Sequence, residues 1–126
     1  MSFINYNAKE IHCKIIYFGS ASSGKTANLQ YIYSQVSPDE RGSLMALNTT
    51  NEPTLLFDFL PLGVGVVKGF QVRLHLYTVP GAAPFDASRK LLLRGVDGIV
   101  FVVDSDVTRL DANQESWRIL NQNLEE

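Results

Sequence analysis

The spacing of apolar positions switches between strand-like and helix-like stretches along the chain, and the switches mark its elements. Residues 12–18 are nearly continuously apolar after Lys14, as in a strand covered on both faces. From 25 to 36, Leu29, Ile32, Tyr33 and Val36 recur at three- and four-residue spacing, which predicts a helix ended by Ser37-Pro38-Asp39. Residues 39–53 show no periodicity and read as a loop. Leu55 to Leu60 then read as a strand, 63–69 as a glycine-rich connection, and 70–77 as a second strand with clean alternation, together an antiparallel hairpin. Pro80-Gly81 breaks it. A helix is predicted over 86–94, with Leu91, Leu92 and Leu93 packing inward. Residues 98–104 form the most hydrophobic segment and predict a fully buried strand. Residues 111–126 predict an amphipathic helix with Trp117, Leu120 and Leu124 on its apolar face. This order implies an α/β three-layer sandwich around a mostly parallel sheet with one antiparallel hairpin. A ligand is expected at the carboxyl ends of the parallel strands, where Gly19, Val79 and Asp104 emerge.

Composition narrows the class. With 126 residues, 45% of them hydrophobic and 19% charged, the chain reads as a single globular domain, not a disordered or fibrous one. A net charge of −2 leaves no electrostatic footprint for nucleic acid, and no window is apolar for long enough to span a bilayer. The first residues lack the basic and apolar regions of a signal peptide, which places the expected location in the cytoplasm. Cys13 stands alone, so neither an intrachain disulfide nor a thiolate metal site is expected.

The strongest chemical signal is Gly19-Ser20-Ala21-Ser22-Ser23-Gly24-Lys25-Thr26, a G-x-x-x-x-G-K-T motif between a predicted strand and a predicted helix. In that context the loop wraps backbone N–H groups around a polyphosphate, and the helix N-terminus adds positive potential. Gly19, Ser22, Ser23, Gly24, Lys25, Thr26 and Ala27 are the expected nucleotide-binding residues. Lys25 would reach the β- and γ-phosphates, and the Thr26 hydroxyl would ligate Mg²⁺.

Three longer runs carry a resemblance: Leu55-Leu56-Phe57-Asp58-Phe59-Leu60-Pro61, Leu76-Tyr77-Thr78-Val79-Pro80-Gly81, and the stretch from Ser88 to Val102. With the phosphate loop they resemble the Ras-like small GTPases, and within them the bacterial MglA-type branch of gliding motility and cell polarity. The likeness covers essentially the whole chain. In that branch Thr78-Val79-Pro80-Gly81 stands where other small GTPases carry D-x-x-G. The resemblance implies GTP or GDP with Mg²⁺ as ligands and a small dimeric roadblock-type protein as regulator. It also implies Thr54 as a switch-one metal and γ-phosphate sensor, and Gly81 as a switch-two N–H donor to the γ-phosphate.

Departures from the pattern matter equally. The branch usually has an arginine before the switch-one threonine and a glutamine after the switch-two glycine; here Pro53 and Ala82 occupy those positions. Neither can offset charge on the γ-phosphate or orient a water. Ala21 replaces a usual glycine, and its methyl crowds the same space. Hydrolysis is therefore expected to be slow or absent, with no residue assigned a catalytic role. No N-K-x-D guanine-reading motif occurs in the chain, which corresponds to about four of the family's six strands, so residues 1–126 read as a partial G domain. The strand 99–103 would then present an unpaired edge, expected to be covered by a homodimer, by a partner supplying the missing half, or by the rest of a longer protein. Three functions compete: a switch or scaffold that binds nucleotide, a pseudo-GTPase interaction module that neither binds nor cycles it, and a generic P-loop ATPase or kinase, which the long MglA-like runs disfavour. His12 and His75 have no acidic or cysteine partner at ligand spacing and read as surface or packing residues. Arg89, Lys90 and Arg94 form a basic face, read equally as solvated or as docking a partner. Asp104 reads as a helix cap or as a carboxylate near the metal, and Glu52 as a solvated loop acid.

Overall fold

The computed structural model describes residues 3–42, 45–46, 58–79 and 86–125. Its strands are β1 (Phe3–Asn5), β2 (Glu10–Phe18), β3 (Met45–Ala46), β4 (Asp58–Val67), β5 (Phe70–Thr78) and β6 (Gly98–Phe101). Its helices are α1 (Lys25–Gln35), α2 (Asp86–Leu93) and α3 (Leu110–Leu124), with 3-10 turns at Pro38–Glu40 and Val107–Arg109. Among the described residues no helix is long and apolar enough to cross a membrane.

β2 is the spine of the sheet. On one side it pairs in parallel with β5, from Glu10↔Gln71 to Tyr17↔Thr78. On the other it pairs antiparallel with β1 at its start and parallel with β6 at its end, where Phe18 meets Phe101. The hairpin β4–β5 lies beyond, edged by the two-residue β3. Antiparallel pairing therefore extends past the single hairpin that periodicity predicts, because β1 and β3 are too short to leave a periodic signal.

Alternation along β2 divides the interior into two layers. Ile16 and Phe18 pack with Val79, Leu93 and Leu120 beneath α2 and α3. On the opposite face Leu29 of α1 packs against Leu60, Leu62 and Leu76, with Ile15 and Tyr17 at the margin. Helices thus cover both faces, as the three-layer reading requires.

Several expectations change. Residues 63–69 are not a long connection. β4 runs through them, and the hairpin turns on Lys68 and Gly69, both with positive φ (51° and 83°), the primed geometry that matches strand twist. A bulge between Gly63 and Val66, with Gly65 at φ 110°, absorbs the one extra residue of β4. Leu91 points outward at 63% exposure while Leu93 is buried. Arg89, one helical turn before Leu93 on the same face, is buried at 2% exposure, so it is not part of a solvated basic face. The buried face of α3 carries Asn113, Ser116, Leu120 and Asn123, leaving Trp117 and Leu124 half-exposed. Trp117 instead makes an edge-to-face contact with Phe101, at 5.2 Å between ring centres. β6 is not fully buried either: Val100 is 40% exposed, and among the described residues no strand pairs with its outer edge.

This packing makes a direct prediction. Leu29→Ala should cost about 2–5 kcal/mol of stability, because it empties a fully buried site between α1 and the sheet. Leu91→Ala should change stability by only about 0.5 kcal/mol. Urea unfolding of the two variants checks this; equal losses would contradict the packing described.

Candidate functional site

The turn from β2 into α1 is shaped by two glycines. A Cβ on Gly19 would lie 2.5 Å from the Val102 carbonyl oxygen and 2.8 Å from Ser23 Oγ, so only glycine lets the loop pass the end of β6. Gly24 takes φ 109° immediately before α1. No side chain caps this helix, which leaves its first N–H groups to face the loop. The hydroxyls of Ser20 and Ser23 are buried without a hydrogen-bond partner. An uncapped helix end and two orphaned buried hydroxyls fit a polyphosphate, which would supply acceptors for all of them.

Lys25 is 7% exposed, and its ammonium donates to the carbonyls of Gly19 (2.9 Å) and Ser20 (2.7 Å). It therefore braces the loop with the ammonium that a phosphate would recruit. Burial draws its pKa down to about 8, with the nearby Asp58 carboxylate pulling the other way.

Thr26 leads to a residue that the motif does not contain. Its hydroxyl donates to Asp58 Oδ2. Asp58, 3% exposed, opens β4, and Thr78, also 3% exposed, closes β5 directly across from it. The Thr78 hydroxyl accepts from the Asp58 N–H (2.8 Å) and donates to Asp58 Oδ2 (3.2 Å). Thr78 thus holds the Asp58 carboxylate in place beside the loop. Thr26 Oγ1 and Asp58 Oδ2 form a pair of hard oxygen donors beside the loop, the donor set that suits Mg²⁺. Sequence reasoning assigned Asp58 no role, although one signal was available. Alternation places it on the same face as Leu60 and Leu62, and an acid on a buried apolar face requires a partner.

Other candidates resolve differently. The Asp104 carboxylate accepts from the Asp106 N–H (3.0 Å) and lies 3.6 Å from Arg109 Nε, so it organises the turn before α3. Asp106 caps that turn by accepting from the Thr108 N–H. Arg109 then reaches the loop and donates to the Ala21 carbonyl at 2.8 Å, a contact that no motif announces. Ser22 adopts φ 62°, an αL conformation at the tip of the loop. Thr54 and Gly81 lie outside the described residues, as do Glu52, Pro53 and Ala82. His12 and His75, read as surface or packing residues without an acidic partner, meet across β2 and β5, and Glu10 lies beside His12.

With this geometry in view, the chain is 56% identical to the mutual gliding-motility protein MglA of Myxococcus xanthus over all 126 residues. It spans 65% of that protein's length, just under two thirds. No family model matches it. In fold it resembles a chain of the GTP-bound crystal structure of T. brucei IFT22/74/81, with a TM-score of 0.52 and 17% identity over 89% of this chain and 57% of that one. The likeness shows an α/β arrangement shared with that chain.

The depressed Lys25 pKa has a thermodynamic consequence. An unfolded lysine keeps its proton up to about pH 10.4, whereas the folded one releases it near 8. Across that window the unfolded state binds more protons, so stability without nucleotide rises with pH. Denaturation curves from pH 7 to 10 should show this gain in the wild type relative to Lys25→Met. Parallel pH profiles would contradict the buried, charge-bearing environment of Lys25.

Proposed function

We propose that this chain, whose sequence is of the MglA type among the small Ras-like GTPases, binds GTP or GDP together with Mg²⁺ through the loop at residues 19–26. The observation that carries the reading is the cluster of Lys25, Thr26 and Asp58 beside an uncapped helix end. The loop amides and Lys25 bind the phosphates, Gly24 lets the backbone approach them, and Ala27 begins the helix that points at them. The fourth-to-last and last positions of the loop, Ser23 and Thr26, bring hydroxyls to the ligand, with Ser22 at the tip. Thr26 holds Mg²⁺ directly, and Asp58 takes the part usually played by an aspartate at the end of β5. Bound Mg²⁺ neutralises phosphate charge. Thr54 and Gly81 complete the metal and γ-phosphate contacts.

Hydrolysis is slow or absent in this reading. Pro53 and Ala82 cannot act on the γ-phosphate or on water, and the methyl of Ala21 occupies the approach. Arg109 is committed to the Ala21 carbonyl and to Asp104. The protein acts through partners, as a cytoplasmic switch or scaffold in bacterial polarity or motility; gliding motility is the process in the name of the Myxococcus xanthus relative. A roadblock-type protein is its regulator. The outer edge of β6, unpaired among the described residues and with Val100 and Trp117 exposed beside it, supports pairing with a second copy.

Isothermal titration of GTP, GDP and ATP in Mg²⁺ tests the reading. Lys25→Ala should weaken GTP about 10- to 100-fold, the worth of a charge-assisted hydrogen bond. Asp58→Asn should weaken binding only when Mg²⁺ is present. GTP turnover should stay below about 10⁻³ s⁻¹, the range of an unassisted small GTPase. Absence of binding by any nucleotide would leave the interaction-module reading instead. Sedimentation across a wide concentration range decides the dimer: a monomer throughout removes it.

A further inference from the structure

The loop lies at the carboxyl end of β2. At the other end of the same strand, His12 and His75 face each other with Nδ1 and Nε2 2.9 Å apart. Their rings are inclined by only 18°, with centres 5.1 Å apart. The nitrogen separation is so much shorter than the centre separation that the rings meet edge to edge, and the two nitrogens lie between them. The ladder enforces this meeting. Lys14 is opposite His75 and Arg73 opposite His12, so the two imidazoles are diagonal neighbours on one face of the sheet. These are the only two histidines in the chain.

Each flank of the pair is held. Glu10 Oε1 lies 3.4 Å from His12 Nε2, and its other oxygen accepts from Arg73 Nε at 2.6 Å. A carboxylate at Nε2 favours the tautomer of His12 with its proton there, leaving the Nδ1 lone pair aimed at His75. On the far side Phe59 lies parallel to the His75 ring, with centres 5.9 Å apart. The pair borders a cavity of about 460 Å³ that Lys14, Tyr77 and Arg94 also line.

The geometry points to a site for a divalent transition-metal ion of the Zn²⁺ or Cu²⁺ class, chelated between His12 Nδ1 and His75 Nε2. Imidazole nitrogens suit these ions and not hard Mg²⁺, so the site differs in chemistry from the one beside Thr26. Zn–N bonds of about 2.0–2.1 Å require the two nitrogens to separate slightly from their hydrogen-bonded distance, a side-chain adjustment. His75 moves its proton from Nε2 to Nδ1, so two neutral rings bind the ion without net proton release. Glu10 then acts on His12 as a carboxylate partner behind a metal-bound ring. Among the described residues no group of three His, Cys, Asp or Glu side chains could hold a metal. Two ring nitrogens are therefore this site's protein ligands, and water or an anion from the cavity completes the shell. Burial, followed by the nearby His12 and Arg73, holds the His75 pKa below its ordinary value, which keeps that ring neutral at pH 7.

The test is titration of Zn²⁺ into the nucleotide-free 126-residue chain at pH 7.5 with excess Mg²⁺. One equivalent should bind, at least ten-fold more weakly to His12→Gln and to His75→Gln, with Cys13→Ser unchanged. Circular dichroism confirms that the variants fold. Protonation of either ring competes with the metal, so affinity should fall as the solution is acidified. The charged and titratable neighbours are Glu10, Lys14, Arg73, Tyr77 and Arg94. On the unsubstituted protein, Cu²⁺ electron paramagnetic resonance should show coupling to two imidazole nitrogens. Coupling to one or none, Zn²⁺ binding that survives both substitutions, binding lost in Cys13→Ser, or no binding by the wild type would each overturn the site.

Discussion

The close approach of the phosphate loop to the end of β6 is the constraint on which the rest of the structure turns. β2 is hydrogen-bonded to β5 along its length and to β6 at its carboxyl end, where the Val102 N–H continues the ladder onto the Phe18 carbonyl at 2.7 Å. The chain must leave β2 at once and without a side chain, because a Cβ on Gly19 would collide with the Val102 carbonyl. That exit aims the loop at α1, seats Lys25 on the loop carbonyls, and brings Thr26 to the carboxylate that opens β4. Moving β6 outward by the width of a methyl group would relax the requirement for glycine, and with it the tight turn that orients the amides.

The second organising contact is the bridge from Asp58 to Thr26 and Thr78. It joins helix, edge-side strand and interior strand through one buried carboxylate. A buried acid with two hydroxyl donors and an ammonium nearby is stable where an isolated one would not be. The Thr78 hydroxyl contributes twice, accepting from the Asp58 backbone and donating to its side chain, so the pair fixes both the register and the rotamer.

Much of this architecture is legible in the sequence, and what is not has identifiable causes. The periods of 2 and 3.6 locate β2, β5, β6 and the three helices within a few residues, the strand read up to Leu60 runs on to Val67, and the glycine-lysine-threonine loop marks the site. β1 and β3 escape because two or three residues carry no period. The hairpin turn is misplaced because Gly63 and Gly65 look like loop, whereas they serve a bulge inside a strand. Facing is misjudged where polar side chains replace backbone partners. Asn113 is buried because its amide both accepts from the Asp104 N–H and donates to the Asp104 carbonyl. That turns the face of α3 away from Trp117. The roles of Asp58, Arg109 and the histidine pair depend on register across strands or on contacts between distant segments, which no local pattern encodes.

Trp117 carries a practical consequence. It is the one tryptophan in the sequence, half-exposed, and in edge contact with Phe101 at the end of β6. Nearly all long-wavelength ultraviolet emission from the protein therefore originates at the seam between β6 and α3. Whatever comes to lie along that seam removes water from the indole and moves its emission toward the blue. The fold thus carries a built-in optical gauge beside β6, on the side of the sheet away from the hairpin, requiring no label and no substitution.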